Sequence, residues 1–176
     1  MKNNSFFAPA NHSVNGARPE AEVKADGLSV TGLVDLNRVV QHTFEEQQQR
    51  VAAQQAIVRC DRFPLAQGPG QVYLLLFRKM LSLILDHPPR NSKLFIYIKC
   101  DRSTSEILDL SLPEGFSNYE IGFYTNSNIT PEWEEVNSDT LASCQQMIRE
   151  SKGALRWQTA PGAGCLFTVT LPGKIH

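Results

Sequence analysis

The order of predicted elements indicates an α+β protein, a two-layer sandwich in which a mixed, mostly antiparallel sheet carries its helices on one face. Two observations predict this architecture. Apolar residues recur at helical spacing in three segments, and runs rich in β-branched and aromatic residues lie between and after them. The later strand-like runs also follow one another directly, which favours antiparallel pairing. The chain has 176 residues, a length typical of one domain.

Spacing and end signals define the three predicted helices. The first begins after Asp35, whose carboxylate suits the capping of free backbone N–H groups, and extends to about residue 55. The second covers about 71–87, and we expect it to be buried on most sides because it is apolar nearly all round. The third covers about 138–151. Gly153 is expected to take the left-handed conformation that often follows a helix.

The strand-like runs complete the predicted sheet. They cover residues 56–61, 93–100, 106–112, 119–124, 154–159 and 165–171. The last two form a closing hairpin around a Gly-Ala-Gly turn. Residues 1–33 are rich in Asn, Ser, Gly, Pro and Ala without a clear period, so we expect a flexible N-terminal tail. The predicted domain covers 34–173, and 174–176 form a C-terminal tail.

Composition excludes several classes of function. The chain has 17 Lys and Arg against 18 Asp and Glu, and this balance gives no basic face for nucleic acid or for acidic lipid. No apolar run is long enough to span a membrane. The four cysteines lie far apart with no Cys-x-x-Cys pair. This spacing favours reduced thiols in a cytoplasmic protein.

Several segments resemble the ATP-binding catalytic domain of bacterial two-component sensor histidine kinases, which belongs to the GHKL superfamily. Residues 34–40 resemble the start of that domain's first helix, and 141–148 are similar to its "LAICRRIV" helix. Residues 151–157 are similar to the strand that follows "HGG", and 161–172 resemble the closing "PGxGTxFTxTLP". The resemblance spans roughly 34–173. It implies the histidine-kinase-like ATPase fold and a place in signal transduction.

The N-box of that family departs from its pattern in this chain. The box reads N-L-L-x-N-A in family members, and its second Asn holds the Mg²⁺ ion that bridges the ATP phosphates. The resemblance aligns the two Asn positions with Lys79 and Leu83. A leucine has no oxygen to offer a hard cation. Lys79 keeps a positive charge that can contact a phosphate, although an exposed helix lysine is the simpler interpretation.

The second box and the lid depart as well. The second box reads D-x-G-x-G, and its Asp accepts a hydrogen bond from the adenine amino group. Thr125 stands at the Asp position and Ser127 at the first Gly position. Thr125 or Asn126 can still accept a hydrogen bond, but without the charge of a carboxylate. The glycine-rich lid has no counterpart, since the segment 131–139 is short and contains no glycine.

The three departures together predict a pseudokinase that has lost ATP and Mg²⁺ binding. Lys79, Leu83, Thr125 and Asn126 are then vestigial nucleotide-site positions, with no catalytic residue, metal or cofactor. The predicted role is protein–protein interaction in a phosphorelay, with a histidine kinase, a response regulator or a second copy as partner. The alternative is a divergent nucleotide-binding or phosphotransferase-type protein that holds ATP through Lys79, Thr125 and Asn126.

Other candidate chemistry has weaker support in the sequence. His42 lies on the first helix, but Thr-Phe-Glu follows it rather than the acidic residue of a phosphoacceptor motif. We therefore interpret His42 as a surface residue and expect His87 to pack or cap the second helix. Leu83 leaves two options open. The old nucleotide pocket is filled by the domain's own apolar side chains, or it presents an apolar surface to a partner.

Overall fold

A computed structural model describes residues 29–30, 32–103, 112–128, 132–160 and 163–174. The predicted strand at 106–112 lies outside these ranges except for its last residue, and so does most of the predicted tail. The helices in the described ranges are α1 Leu36–Glu46, α2 Gln48–Ala53, α3 Gly70–Leu85, α4 Trp133–Val136 and α5 Ser138–Glu150. The three predicted helices are thus present, with the first divided at Gln47.

The described strands form one eight-stranded sheet. They are β1 Ser29–Val30, β2 Leu33–Asp35, β3 Ile57–Cys60, β4 Leu65–Gln67, β5 Phe95–Arg102, β6 Ser117–Thr125, β7 Ala154–Ala160 and β8 Gly164–Lys174. Their order is β1-β2-β4-β8-β6-β5-β3, and β7 also pairs with β8. Among the described pairings only β3 and β5 run parallel. The predicted α+β class, with its mixed, mostly antiparallel sheet, is confirmed.

The first helix begins where its capping residue predicts. The Asp35 carboxylate accepts a hydrogen bond from the backbone N–H of Asn37 at 2.9 Å, so one free donor of the first turn is satisfied. The Asn37 side chain in turn bonds both backbone groups of Phe63, at 2.9 Å each. This pair of bonds fixes the start of α1 to the segment that leads into β4.

Three short strands were not predicted. β1, β2 and β4 have two or three residues each, too few for an alternating pattern to be visible. β2 and β4 are held by pairing with distant segments, such as Leu65 of β4 with Lys174 of β8, and β1 pairs with the neighbouring β2. The sheet therefore includes Ser29 and Val30 from the predicted tail, and β8 continues to Lys174, past the predicted border at 173.

The turn after α5 differs from the prediction. Lys152, not Gly153, has the left-handed conformation, with φ of 57°. Gly153 meets another requirement, because a Cβ atom there would lie 2.6 Å from the Thr170 carbonyl oxygen of β8. The glycine is needed for close approach of two backbones rather than for a positive φ.

One apolar core joins the helix layer to the sheet. α3 lies at its centre and buries most of its residues, as its composition predicts. Phe77 of α3 packs on Phe123 of β6, with ring centroids 5.2 Å apart. Two ion pairs, Glu46–Arg78 and Arg50–Asp86, tie α1 and α2 to α3 at its surface. No helix in the described part of the chain is long and apolar enough to cross a membrane.

Candidate functional site

The two N-box positions lie on the same side of α3, four residues apart. Leu83 is 5% exposed and belongs to the apolar core. Lys79 is half-buried on the side of α3 that approaches α5, where its charge lowers the pKa of the Cys144 thiol against the larger opposing effect of burial. The position that the resemblance aligns with the metal-holding Asn is therefore part of the core, and its side chain has no oxygen.

Thr125 and Ser127, at the end of β6, are buried and use their hydroxyl protons within the fold. The Ser127 hydroxyl donates to the Ile84 carbonyl at 3.3 Å, so the Thr125 hydroxyl is the donor in their mutual 2.8 Å bond. The Ser127 backbone N–H donates to Thr125 Oγ1 at 3.2 Å. These bonds tie the end of β6 to the last turn of α3. They leave no hydroxyl proton for a ligand.

Asn126 has a different role from its neighbours. Its Oδ1 accepts from the Phe95 backbone N–H at 2.7 Å, and its Nδ2 donates to the Lys93 carbonyl at 3.0 Å and to Ser92 Oγ at 3.2 Å. The side-chain amide therefore holds the start of β5. The structure does not bring it together with Lys79 and Leu83.

Trp133 closes the region where the sequence lacks the family's lid. The residue opens the four-residue helix α4 and is 2% exposed. Its indole Nε1–H donates to His87 Nδ1 at 3.3 Å, and its ring centroid lies 6.1 Å from that of His87 and 5.8 Å from that of Phe167. The large side chain thus fills space between the end of α3 and β8.

The β6–β8 ladder places Trp133 near Thr125, one of the predicted nucleotide-site positions. Phe167 pairs with Phe123, and two residues away Cys165 pairs with Thr125, so these side chains share the helix-facing side of the sheet. Trp133, which packs on Phe167, therefore lies over the same strip as Thr125. This position of Trp133 is not predicted by the sequence pattern. The available signal was a single tryptophan flanked by glutamates, whose burial depends on long-range packing.

His87 packs at the end of α3, as predicted. Its backbone carbonyl accepts from the Asn128 N–H at 2.7 Å, which ties the segment after β6 to the helix end. Its Nδ1 lies 3.0 Å from the Leu83 carbonyl as well as 3.3 Å from the Trp133 indole nitrogen. A single nitrogen cannot donate to the carbonyl and accept from the indole at once, so each tautomer satisfies one contact.

His42 lies half-buried on α1 beside two carboxylates. Its Nε2 is 3.4 Å from Glu46, which also binds Arg78, and its Nδ1 is 4.0 Å from Glu45. The ring is thus part of a helix-surface charge network. Within the part of the chain that the structure describes, no group of three or more His, Cys, Asp and Glu side chains is arranged to hold a metal ion.

A groove of about 490 Å³ lies where β5 and β8 begin and β6 and β7 end. Phe95, Tyr124 and Leu166 provide its apolar lining, and Thr125 and Asn126 are on its wall. The residues that line it carry no charge. The groove therefore touches two of the four vestigial positions, but it offers neither Lys79 nor any other cation to a phosphate.

Burial makes the four thiols weak acids. The pKa of Cys60 and Cys165 rises to about 12, and that of Cys100 and Cys144 to about 11. The Asp61 carboxylate adds to the effect of burial on the pKa of Cys60, and the Asp101 and Asp61 carboxylates add to it at Cys100. Because the thiolate is the nucleophile, we expect thiols that are unreactive at neutral pH.

Thiol labelling and alkaline unfolding test this expectation. At pH 8 a thiol reagent should react far more slowly with the native protein than with the urea-unfolded chain. Unfolded thiols ionise near their ordinary pKa of 9.0, whereas the folded ones keep their protons. The thiols' contribution to stability is therefore complete below about pH 9 and is lost as the pH rises from 9 towards the folded pKa values. Rapid native labelling of any thiol at pH 8 would contradict the prediction.

Solved structures of histidine kinases are similar to this chain. The mycobacterial sensor histidine kinase MprB superposes with a TM-score of 0.62 at 14% identity, covering 82% of this chain and 99% of that one. The catalytic domain of histidine kinase ThkA gives 0.60 at 10% identity, covering 82% and 97%. Full-length ShkA in complex with AMPPNP gives 0.56 at 10% identity, covering 85% of this chain and 33% of that one.

The likeness lies in the fold rather than in the sequence. No protein-family model and no curated protein matches the chain. The resemblance that the sequence predicts is nevertheless confirmed at the level of the fold, because these superpositions cover most of the chain. The chain has the fold of the ATP-binding catalytic domain of sensor histidine kinases.

Proposed function

We propose that this chain is a non-catalytic, kinase-derived domain that acts by protein–protein interaction in two-component or phosphorelay signalling. The observation that carries the proposal is the burial of Leu83 in the core, at the position where the resemblance expects a metal-holding Asn. Mg²⁺ requires oxygen ligands, and it bridges the phosphates of ATP in the resembled family. A site that lacks this ligand loses the cation and the phosphate contacts that depend on it.

Two further features support the same conclusion. The Thr125 hydroxyl donates its proton to the Ser127 hydroxyl, which donates its own to the Ile84 carbonyl of α3. The segment after β6 holds the short helix α4, with Trp133 buried, instead of a long glycine-rich lid. The residues present therefore do not fit Mg-ATP. We derive no phosphoryl-transfer step for this domain.

The likeness to MprB, ThkA and ShkA suggests the class of partner. These proteins are histidine kinases, so the expected partner is a histidine kinase, a response regulator or a second copy of this chain. We expect the interaction to take place in the bacterial cytoplasm. Leu83 is not the contact surface, because its side chain lies in the core.

Calorimetric titration with ATP, ADP and AMPPNP, with and without Mg²⁺, tests the proposal. We expect no heat and no change in melting temperature at millimolar nucleotide. A nucleotide that binds only the native state raises its stability by about 2.7 kcal/mol at a hundredfold excess over Kd. ShkA, which has been solved with AMPPNP, is the positive control. Micromolar binding to this chain would overturn the proposal.

A second candidate function is a divergent nucleotide-binding domain, and the groove that reaches Thr125 and Asn126 is the observation that favours it. The same titration separates the two candidates when Thr125→Val and Lys79→Ala are included. If the proposed function is correct, nucleotide addition gives no heat with the wild type, Thr125→Val or Lys79→Ala. The second candidate expects heat from the wild type that falls in these variants.

A further inference from the structure

We propose that the Trp133 indole fills the part of the vestigial nucleotide site in which the adenine base would lie. On this view α4 acts as a plug, and removal of the indole opens a site for a neutral, planar heterocycle. The inference rests on the proposed function, because it concerns how the same site was closed. It goes further in naming the side chain that closes it and the class of ligand that the closure excludes.

The surroundings of the indole are those of a planar ligand. One aromatic ring, Phe167, packs on it with centroids 5.8 Å apart and planes inclined by 54°. A second ring, His87, meets it edge to face at 6.1 Å and 78°. The floor is the helix-facing strip of β6 and β8 that includes Thr125. Aromatic rings favour such offset and edge-to-face contacts with other flat rings.

The polar contact between Trp133 and His87 indicates which hydrogen-bonding groups a replacement ligand would carry. In the tautomer that leaves His87 Nδ1 unprotonated, the indole donates its only N–H to this nitrogen at 3.3 Å, and the contact of Nδ1 with the Leu83 carbonyl is then not a hydrogen bond. A replacement ligand that keeps the contact with His87 in this tautomer has a flat ring with an N–H donor, as in indole itself or the amino group of adenine. The Leu83 side of the site offers an apolar side chain and no oxygen for a cation. Phosphate groups on the ligand should consequently add nothing to its binding.

Trp133 also accounts for where α4 lies. The remaining residues of this helix, Glu134, Glu135 and Val136, are exposed, and Val136 is 78% exposed. A four-residue helix has no stability of its own in water. Apart from the indole contacts, a single side-chain hydrogen bond among the described residues joins α4 to the sheet, from Thr159 Oγ1 to the Glu134 carboxylate at 3.0 Å. Burial of the indole is therefore the main contact that holds α4 in place.

The test compares Trp133→Ala with Phe77→Ala, whose side chain is equally buried in the core but lies away from His87. Each variant and the wild type are melted with indole, adenosine or Mg-ATP. We expect Trp133→Ala to melt about 10 °C lower than the wild type. Adenosine and indole at tenfold excess over Kd should each raise its melting temperature by about 3 °C. Mg-ATP should do no better than adenosine.

The control results complete the test. Adenosine should leave the melting temperatures of the wild type and of Phe77→Ala unchanged. In the wild type the indole fills the site, and in Phe77→Ala the new cavity is apolar and has no hydrogen-bond acceptor. If Trp133→Ala does not fold, Trp133→Val takes its place with the same ligands. A folded Trp133 variant that neither indole nor adenosine stabilises overturns the inference and leaves the proposed function intact. Mg-ATP binding by the wild type overturns the proposed function instead.

Discussion

Gly164→Ala is expected to destabilise the domain by more than about 3 kcal/mol, because the residue meets two independent constraints. Its φ of 112° lies in the region that favours glycine, and other residues pay on the order of 1–3 kcal/mol there. A Cβ atom would also lie 1.9 Å from the Thr125 carbonyl oxygen and 2.9 Å from Asn126 Cα. These atoms belong to backbone, so the start of β8 has to move away from β6.

The matched control is Gly115→Ala. Its φ of 80° imposes a similar conformational cost, but a Cβ atom there meets only the Lys174 side chain, at 3.6 Å or more. Urea unfolding should therefore show a loss of about 1–2 kcal/mol for Gly115→Ala and clearly more for Gly164→Ala, at unchanged m-value. Equal losses in the two variants would mean that the close approach to Thr125 does not constrain the fold.

Local patterns in the sequence were sufficient to predict the helices and the closing hairpin. α3 is apolar nearly all round, and Asp35 caps α1, so neither depends on distant residues for its identity. β2 and β4 depend on pairing with remote strands, β1 pairs with β2, and strands of two or three residues have no readable period. The need for glycine at position 153 could not be predicted for the same reason, because it comes from the close approach of the Thr170 backbone in β8.

The sequence predicts which nucleotide-binding residues the candidate site lacks. It does not predict which side chains fill the site. The replacement of a metal-holding Asn by Leu83 can be read from the sequence once the resemblance is noted. The hydrogen bonds of the Thr125 and Ser127 hydroxyls and the burial of Trp133 cannot be read from the sequence. Both depend on how the segment after β6 packs against α3. The bonds by which Asn126 holds the start of β5 are equally invisible in the sequence, because Phe95 and Lys93 are 31 and 33 residues away along the chain.

Leu83→Asn, which restores the residue that the family pattern has at this position, is expected to cost about 4 kcal/mol of stability without creating an Mg-ATP site. Burial of a leucine side chain contributes about 1.5–3 kcal/mol, and Asn, which has nearly the same shape and leaves no large cavity, forfeits this apolar contribution. The new amide then lies in the core, and a buried polar group without a partner costs about 1–3 kcal/mol more. Leu83→Met, which conserves volume, should lose less than about 1.5 kcal/mol.

Urea unfolding measures the two losses, and calorimetry with Mg-ATP measures binding by the same proteins. We expect no heat from Leu83→Asn, because one restored oxygen leaves the other obstacles in place. The Thr125–Ser127–Ile84 hydrogen bonds still occupy the end of β6, and the Trp133 indole still fills the space beside His87. Heat on addition of Mg-ATP would show that Leu83 alone disables an otherwise intact site. If no heat is observed, the loss of nucleotide binding is a property of the whole packed region, and restoring one residue does not reverse it.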